Sequence, residues 1–244
     1  LMLAAGFKTK WVHWPCWYLL ASAQFHTPAI LQGGDQELRL VLLFAAFLPW
    51  EEWYSWDGRN VPNHQKRTSF QSWANSALFL QIACVYWFSA ATKFGTTWQD
   101  GTGVFYALQN SSYSTVLGLR FSSLATPLAL KIVAATILAI ELFAPILFWL
   151  NWRFRMAALV SLSMMHFIFF FGLHLTTFPW ISISCLAALL PHQVWNQDEN
   201  SEIKRIQPSS KFNLILPLIS IVIVLLINFR SLASPGNHSL WKPF

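Results

Sequence analysis

Ionisable side chains inside long apolar stretches are the residues of this sequence that could do chemistry. They are Lys93, Lys131, Glu141, His166 and His174. Such groups are costly inside a membrane and usually face a cavity or a partner. Desolvation favours the neutral amine of a lysine, so a lysine at the edge of an apolar cavity can act as a base. Lys93 ends an apolar stretch and is our candidate for a base that deprotonates a lipid-soluble substrate. The alternative is a lysine that snorkels to the headgroups.

The spacing of the other four residues limits what they can do together. Lys131 and Glu141 are ten positions apart, a rise of about 15 Å along a helix, so each is expected to meet a group on another helix. His166 and His174 point into the same half of one helix. Metal ligands on a helix face would be three or four positions apart, so no metal site is predicted. For each histidine, a neutral side chain bonded to a neighbouring helix is the alternative.

Apolar helices that cross a membrane are the elements that must position these residues. The chain is 55% hydrophobic and only 11% charged, whereas a soluble domain carries about 25% charged residues. Runs of about 18 apolar residues are long enough to cross a bilayer as a helix. The fold class that we predict is all-α, a polytopic transmembrane helical bundle. Its seven predicted spans are residues 11–25, 38–53, 73–93, 124–150, 156–175, 178–190 and 212–229.

The distribution of lysine and arginine predicts how this bundle is oriented. With seven spans, ten cations flank one side of the membrane and four flank the other. The positive-inside rule therefore predicts a cytoplasmic N-terminus. The ten are Lys8, Lys10, Arg59, Lys66, Arg67, Arg153, Arg155, Lys204, Arg205 and Lys211, and the four are Arg39, Arg120, Arg230 and Lys242.

The predicted spans divide the chain into three parts. Residues 1–196 form a transmembrane domain, residues 197–211 a polar cytoplasmic linker, and residues 212–244 a C-terminal transmembrane helix with a short tail. The loop 95–123 is long and aromatic, and such a loop is expected to pack as a lid. This loop contains Trp98 and is predicted to lie on the outer face.

Four ordered blocks of the sequence resemble the vitamin K-dependent gamma-glutamyl carboxylases and the bacterial proteins that share their horizontally transferred transmembrane (HTTM) domain. One block runs from Trp73 to Gly101, and its resembling positions are Trp73, Gln81, Tyr86, Lys93, Trp98 and Gly101. The other blocks are residues 33–58, the acidic segment that begins at Glu141, and His166 with the Phe178 and Pro179 that follow it.

The resemblance implies a function and a role for Lys93. In the carboxylases the lysine at this place is the base that deprotonates reduced vitamin K, and oxygen then converts the quinol to an epoxide. It implies a quinone as cofactor or substrate. The candidates for binding the quinone are Trp98 and the ionisable residues of the apolar stretches, Lys131, Glu141, His166 and His174. The resemblance also implies an integral protein of a bacterial inner membrane or of an internal, thylakoid-type membrane.

Two departures from the carboxylase pattern concern its protein substrate. No histidine stands near Gly33 and Gly34, where the carboxylases have one that assists catalysis. The sequence after Pro191 is too short for their large lumenal domain, which binds the protein substrate. Carboxylation of a protein is therefore not expected, and a quinol-epoxidising or related reaction is the enzyme hypothesis.

A non-catalytic subunit of a larger membrane complex, such as a bioenergetic one, is the rival hypothesis. The aromatic content of 16% suits packing against other membrane subunits. A transporter ranks below both, because no inverted repeat is found in the sequence. Membrane lipids are expected partners, whereas nucleic acid is not, since the cations lie in short loops rather than on one basic face.

Overall fold

The structure is a computed structural model that describes residues 1–26, 33–49, 52, 55–62, 73–194, 219, 222, 225 and 226. These residues are helical, with a single antiparallel bridge pair between Ser114 and Leu173 and no β-strand among them. The α-helices are α1 (Met2–Ala5), α2 (Thr9–His26), α3 (Gly33–Ala45), α4 (Trp73–Ala91), α5 (Thr96–Gln99), α6 (Thr102–Gln109), α7 (Val116–Leu124), α8 (Pro127–Leu147), α9 (Trp152–Gly172) and α10 (Phe178–Ala187). Short 3₁₀ turns span Asp57–Asn60 and His192–Val194.

Among the described residues, three helices are long and apolar enough to cross a membrane by length and composition. They comprise most of α4 (Ala74–Ala91) and the whole of α8 and α9, and the apolar α10 is shorter. These four helices correspond to the predicted spans 73–93, 124–150, 156–175 and 178–190. α2 corresponds to the first predicted span, whereas α3 overlaps the second predicted span only over residues 38–45. Neither helix is both long enough and apolar enough to count as a span. The linker 197–211 lies outside the described residues, as do all but four positions of the predicted span 212–229.

The two longest helices begin at residues whose side chains cap them. Thr126 Oγ1 accepts a hydrogen bond from the Ala129 N–H at 3.2 Å, and Pro127 occupies the first turn of α8. Asn151 Oδ1 accepts from the Arg153 N–H at 3.1 Å at the start of α9. Each cap satisfies a backbone donor that the first helical turn leaves without a partner.

The contacts of the chain define two compact units, and the first contains the described residues up to Gln81. In it, side chains of α2 bond to backbone carbonyls of α3. His13 Nε2 lies 2.8 Å from the Leu42 oxygen, and the Trp17 indole N–H donates to the Arg39 oxygen at 3.0 Å. These bonds fix the two helices side by side.

Asp57 caps the N-terminus of α2 in the same unit. Its carboxylate accepts from the backbone N–H groups of Lys8 at 2.9 Å and Thr9 at 2.8 Å. The Thr9 and Lys8 N–H groups hold the pKa of the Asp57 carboxyl below its usual range, because they stabilise the charged form. A carboxylate at this position also complements the positive end of the helix dipole.

The second unit contains residues 82–191 and holds the candidate site. In it α8 packs against α9, α9 packs against α10, α5 and α6 contact α8, and α7 contacts α9. The core between these helices is apolar. Its most deeply buried side chains include Ile82, Ala83, Cys84, Ala90, Ala134, Phe148, Ala158, Leu162, Leu186 and Leu189.

The segment 95–123, predicted as a packed lid, consists mainly of three short helices, α5, α6 and α7. We call α5–α7 the cap. Gly101 joins α5 to α6 with φ of 85°, a left-handed conformation that glycine adopts easily. A Cβ atom on Gly101 would lie 2.7 Å from the Leu130 carbonyl carbon, so the cap lies directly on the backbone of α8.

Candidate functional site

An ion pair between Lys93 and Glu141 is the centre of the candidate site. Lys93 lies two residues beyond the end of α4, and its Nζ donates to Glu141 Oε1 on α8. The Lys93 side chain is 15% exposed and the Glu141 side chain only 3%. A buried carboxylate needs such a partner, because an uncompensated charge in an apolar core is very costly.

Ser89 connects the two charged groups. Lys93 Nζ donates to Ser89 Oγ at 2.7 Å, and Ser89 Oγ donates to Glu141 Oε1 at 3.2 Å. Both donors to Glu141 therefore bond the same carboxylate oxygen. The other oxygen, Oε2, is buried and has no hydrogen-bond partner among the described residues. The site thus retains a free acceptor.

The indole ring of Trp98 covers the lysine. Lys93 Nζ lies 5.3 Å from the centre of the Trp98 ring, which is within the range of a cation–π contact. Trp98 belongs to α5, the first helix of the cap. The cap therefore supplies one wall of the site, next to the lysine nitrogen.

Tyr86 and His166 form a second buried polar pair. The Tyr86 hydroxyl and His166 Nε2 are 3.1 Å apart, and the two side chains belong to α4 and α9. Phe169 and Phe178 meet the imidazole edge-on, with ring centres 6.0 and 5.3 Å away. His166 Nδ1 is buried and lacks a hydrogen-bond partner in the described part of the chain.

Ser89 and Lys93 follow Tyr86 by three and seven positions, so Tyr86 and Ser89 share one face of α4 and Lys93, two residues beyond its end, continues the same line. The two polar pairs are therefore neighbours along this face. The charged Lys93 side chain also interacts electrostatically with His166. We call Tyr86, Ser89, Lys93, Glu141 and His166 the polar row.

The structure places the six predicted site residues in three groups. Lys93, Trp98 and Glu141 come together, and His166 lies in the same polar row. Lys131 is exposed on α8 and interacts electrostatically with Asp100. His174 is exposed beyond the end of α9, where its backbone N–H donates to the Tyr113 oxygen at 2.5 Å.

Ser89 was not among the residues singled out from the sequence, and Tyr86 was noted only as a position of resemblance. A serine in an apolar helix often bonds to the backbone of its own helix, so the residue type of Ser89 does not indicate a functional position. A usable signal was the spacing of Tyr86 and Ser89 from Lys93 on one helix face. The described residues contain no group of three or more His, Cys, Asp or Glu side chains that could hold a metal ion.

Comparison of the chain with protein-family models, with curated proteins and with solved structures found no match.

Proposed function

We propose that this chain is an integral membrane protein of the HTTM type, similar to the carboxylases, which acts on a quinone, a quinol or another lipid-soluble substrate. Lys93 is the base. The observation that carries this proposal is the ion pair of Lys93 with Glu141, bridged by Ser89 and covered by Trp98. The pair lies in a unit built on helices long enough to cross a membrane.

A lysine paired with a glutamate can supply a neutral amine without a change in net charge. Transfer of one proton from Lys93 Nζ to Glu141 turns the ion pair into an amine and a carboxylic acid. Burial favours the neutral forms, because an apolar environment solvates charge poorly. The Lys93 amine can then accept the proton of a substrate hydroxyl, which leaves an ammonium on Lys93 and an oxyanion on the substrate as its counter-ion, while Glu141 remains a neutral acid.

The residues of the site fit the headgroup of a quinol. Glu141 Oε2 is a buried acceptor, and His166 Nδ1 is a buried ring nitrogen that can bond an oxygen substituent. Trp98 offers an aromatic face beside Lys93. The headgroup would be bound by Lys93, Trp98, Glu141 and His166. It supplies the acidic hydroxyl and the oxygen-sensitive ring. Lys131 and His174 would not contact it.

The proposal includes the arrangement in the membrane that the charges predict. The chain would cross about seven times with its N-terminus in the cytoplasm of a bacterial cell, in the inner or an internal membrane. Residues 1–196 would form the catalytic transmembrane domain. Alkaline phosphatase fused after Ser111 should then be active and, fused after Asn151, inactive. The reverse pattern would contradict the orientation.

Extraction of lipids from mildly solubilised protein tests whether a quinone binds. Wild type and Lys131→Ala should carry a co-purifying quinone, identified by mass spectrometry, and Lys93→Ala should have lost most of it. Lys131 is the control because it is an exposed lysine of the same unit. Equal amounts of quinone in all three proteins would contradict a role for Lys93 in binding.

A non-catalytic subunit of a larger membrane complex is the second candidate function. An open apolar groove between α9 and α10 favours it, with a volume of about 430 Å³. The groove is lined by residues such as Met156, Val160, Phe167, Ile183 and Leu190, which suit a helix of another subunit. This candidate predicts a defined partner that co-purifies equally with wild type and Lys93→Ala.

A further inference from the structure

Helix α7 of the cap presents an apolar surface that no other described element covers. Its large side chains are exposed, for example Leu117 at 58% and Leu124 at 83%. Only Gly118 and Ser122 are buried, so the helix contacts the rest of the unit through one narrow stripe. A helix of nine residues is by itself marginal in water.

The start of α7 is fixed to the end of α9. Thr115 donates from its N–H to the Gly172 oxygen at 3.3 Å and from its hydroxyl to the Phe171 oxygen at 2.5 Å. Ser122 Oγ accepts from Gln109 Nε2 at 2.9 Å, which joins α7 to α6. The exposed apolar side chains are therefore held in place by a bonded framework.

The apolar surface of α7 continues into α8, which is long enough to cross a membrane. Leu128 and Ile132 are exposed and four positions apart on α8, so they lie on one ridge of that helix, and the exposed Leu124 precedes them across the two-residue junction. α8 has 21 residues and is about 31 Å long, close to the thickness of the hydrocarbon core. With α8 across the hydrocarbon core, as in the proposed function, its first residue lies at the membrane boundary, and α7 lies next to it.

The charge content of the cap agrees with contact to lipid. From Phe94 to Leu124 the sequence contains only two charged residues, Asp100 and Arg120. A segment in water carries about 25% charged residues. Arg120 is exposed on α7, and its long side chain suits a position where the guanidinium reaches the phosphates of lipid headgroups.

We propose that α7 lies in the lipid headgroup region of the membrane, with Leu117, Phe121 and Leu124 in contact with acyl chains. The cap is then a membrane-seated lid rather than a loop in water. Since the cap carries Trp98, a lipid-soluble substrate approaches Lys93 from within the leaflet that contains α7. This inference rests on the membrane location in the proposed function.

Spin labels at single cysteines test the inference in nanodiscs of phosphatidylcholine. Cys84 and Cys185 are buried, so only Cys16 needs replacement, by serine. Labels are placed at Leu117→Cys and Leu124→Cys, with Ile132→Cys as the membrane reference and Ser111→Cys as the water reference. All four positions are exposed, so the label need not disturb packing. Collisions with oxygen report lipid, and collisions with a water-soluble nickel chelate report water.

The labels at Leu117 and Leu124 should show a ratio of oxygen to nickel accessibility several-fold higher than the label at Ser111. If both match Ser111 while Ile132 is protected from nickel, the inference is wrong and the membrane location stands. If Ile132 itself is open to nickel, α8 does not cross the membrane, and the proposed function and the inference fail together.

Discussion

At the scale of single residues, Ser89 explains how a buried carboxylate and a lysine remain together. Its hydroxyl accepts from Lys93 and donates to Glu141, so it orders both charged groups. A bridging hydroxyl also provides a short path between the lysine nitrogen and the carboxylate. The chemistry that we propose therefore depends on the coupling of these three side chains more than on any one of them.

The coupling of Lys93 and Glu141 can be measured with a double-mutant cycle. Glu141→Leu leaves the lysine without its counter-ion and should lower the free energy of unfolding by about 3–5 kcal/mol. Lys93→Met combined with Glu141→Leu should recover most of this loss, because both charges are then absent. Thermal and denaturant unfolding in detergent give the values, and Lys131→Met serves as the control. Additive effects would show that the two residues are not paired.

The Tyr86–His166 bond makes a second prediction. Tyr86→Phe removes the hydroxyl and leaves the buried His166 Nε2 without it, which should lower the free energy of unfolding by about 1–3 kcal/mol. Tyr106 is exposed in the same unit. Tyr106→Phe should therefore change the free energy of unfolding by no more than about 0.5 kcal/mol. Equal effects of the two substitutions would contradict the buried bond.

At the scale of elements, the cap and α8 are positioned by backbone contacts. Gly101 has no space for a side chain, and its positive φ would strain any other residue. The position of Trp98 over Lys93 therefore depends on a glycine in the next turn of the chain. Caps at Thr126 and Asn151 determine where α8 and α9 begin.

Gly101→Ala should displace the cap from α8. The strained backbone costs on the order of 1–3 kcal/mol, and hydrogen exchange of residues 96–109 should become faster. Gly95→Ala is the matched control, since no heavy atom lies within 4 Å of a Cβ at that position and its φ is −69°. Equal exchange rates in the two variants would show that Gly101 does not hold the cap.

Asp57 gives α2 a dependence on pH. The pKa of its carboxyl is lowered in the fold by the Thr9 and Lys8 N–H groups. The stabilisation is therefore fully present above the usual aspartate pKa of about 4 and is lost as the pH falls through the lower folded value.

The midpoint of thermal unfolding of Asp57→Asn should lie below that of wild type at pH 7. The difference between the two proteins should be smaller at pH 3, below the usual aspartate pKa of about 4, because the stabilisation by the charged carboxylate is then being lost. Thermal unfolding followed by fluorescence, for both proteins at pH 7 and at pH 3, measures this difference. A difference that does not vary with pH would contradict the role of the charged carboxylate.

At the scale of the whole molecule, the sequence predicts helices better than it predicts their ends or contacts. The predicted spans 124–150 and 156–175 correspond to α8 and α9, because long apolar runs admit no other structure in a membrane. The ends differ by three to four residues, since hydropathy does not register the caps at Thr126 and Asn151. The short helices of the cap were predicted only as a packed loop, because none is long enough to show a clear period.

The candidate site was predictable in part. An ionisable residue within an apolar stretch is an expected functional position, and this argument selected Lys93, Glu141 and His166. The same argument selected Lys131 and His174, which are exposed. Only the packing of three helices decides which of these charges meet, and sequence spacing contains no information on contacts between distant segments. The pairing of Lys93 with Glu141 could therefore not be derived from the sequence.

The most direct test of the proposed chemistry is the rate at which a reduced naphthoquinone disappears in oxygenated nanodiscs that contain the protein. Empty nanodiscs measure spontaneous oxidation, and products are identified by mass spectrometry. We predict a rate above this background for wild type and Lys131→Ala, and a rate at background for Lys93→Ala with unchanged expression and folding. A rate in Lys93→Ala equal to that of wild type would contradict the role of Lys93 as the base.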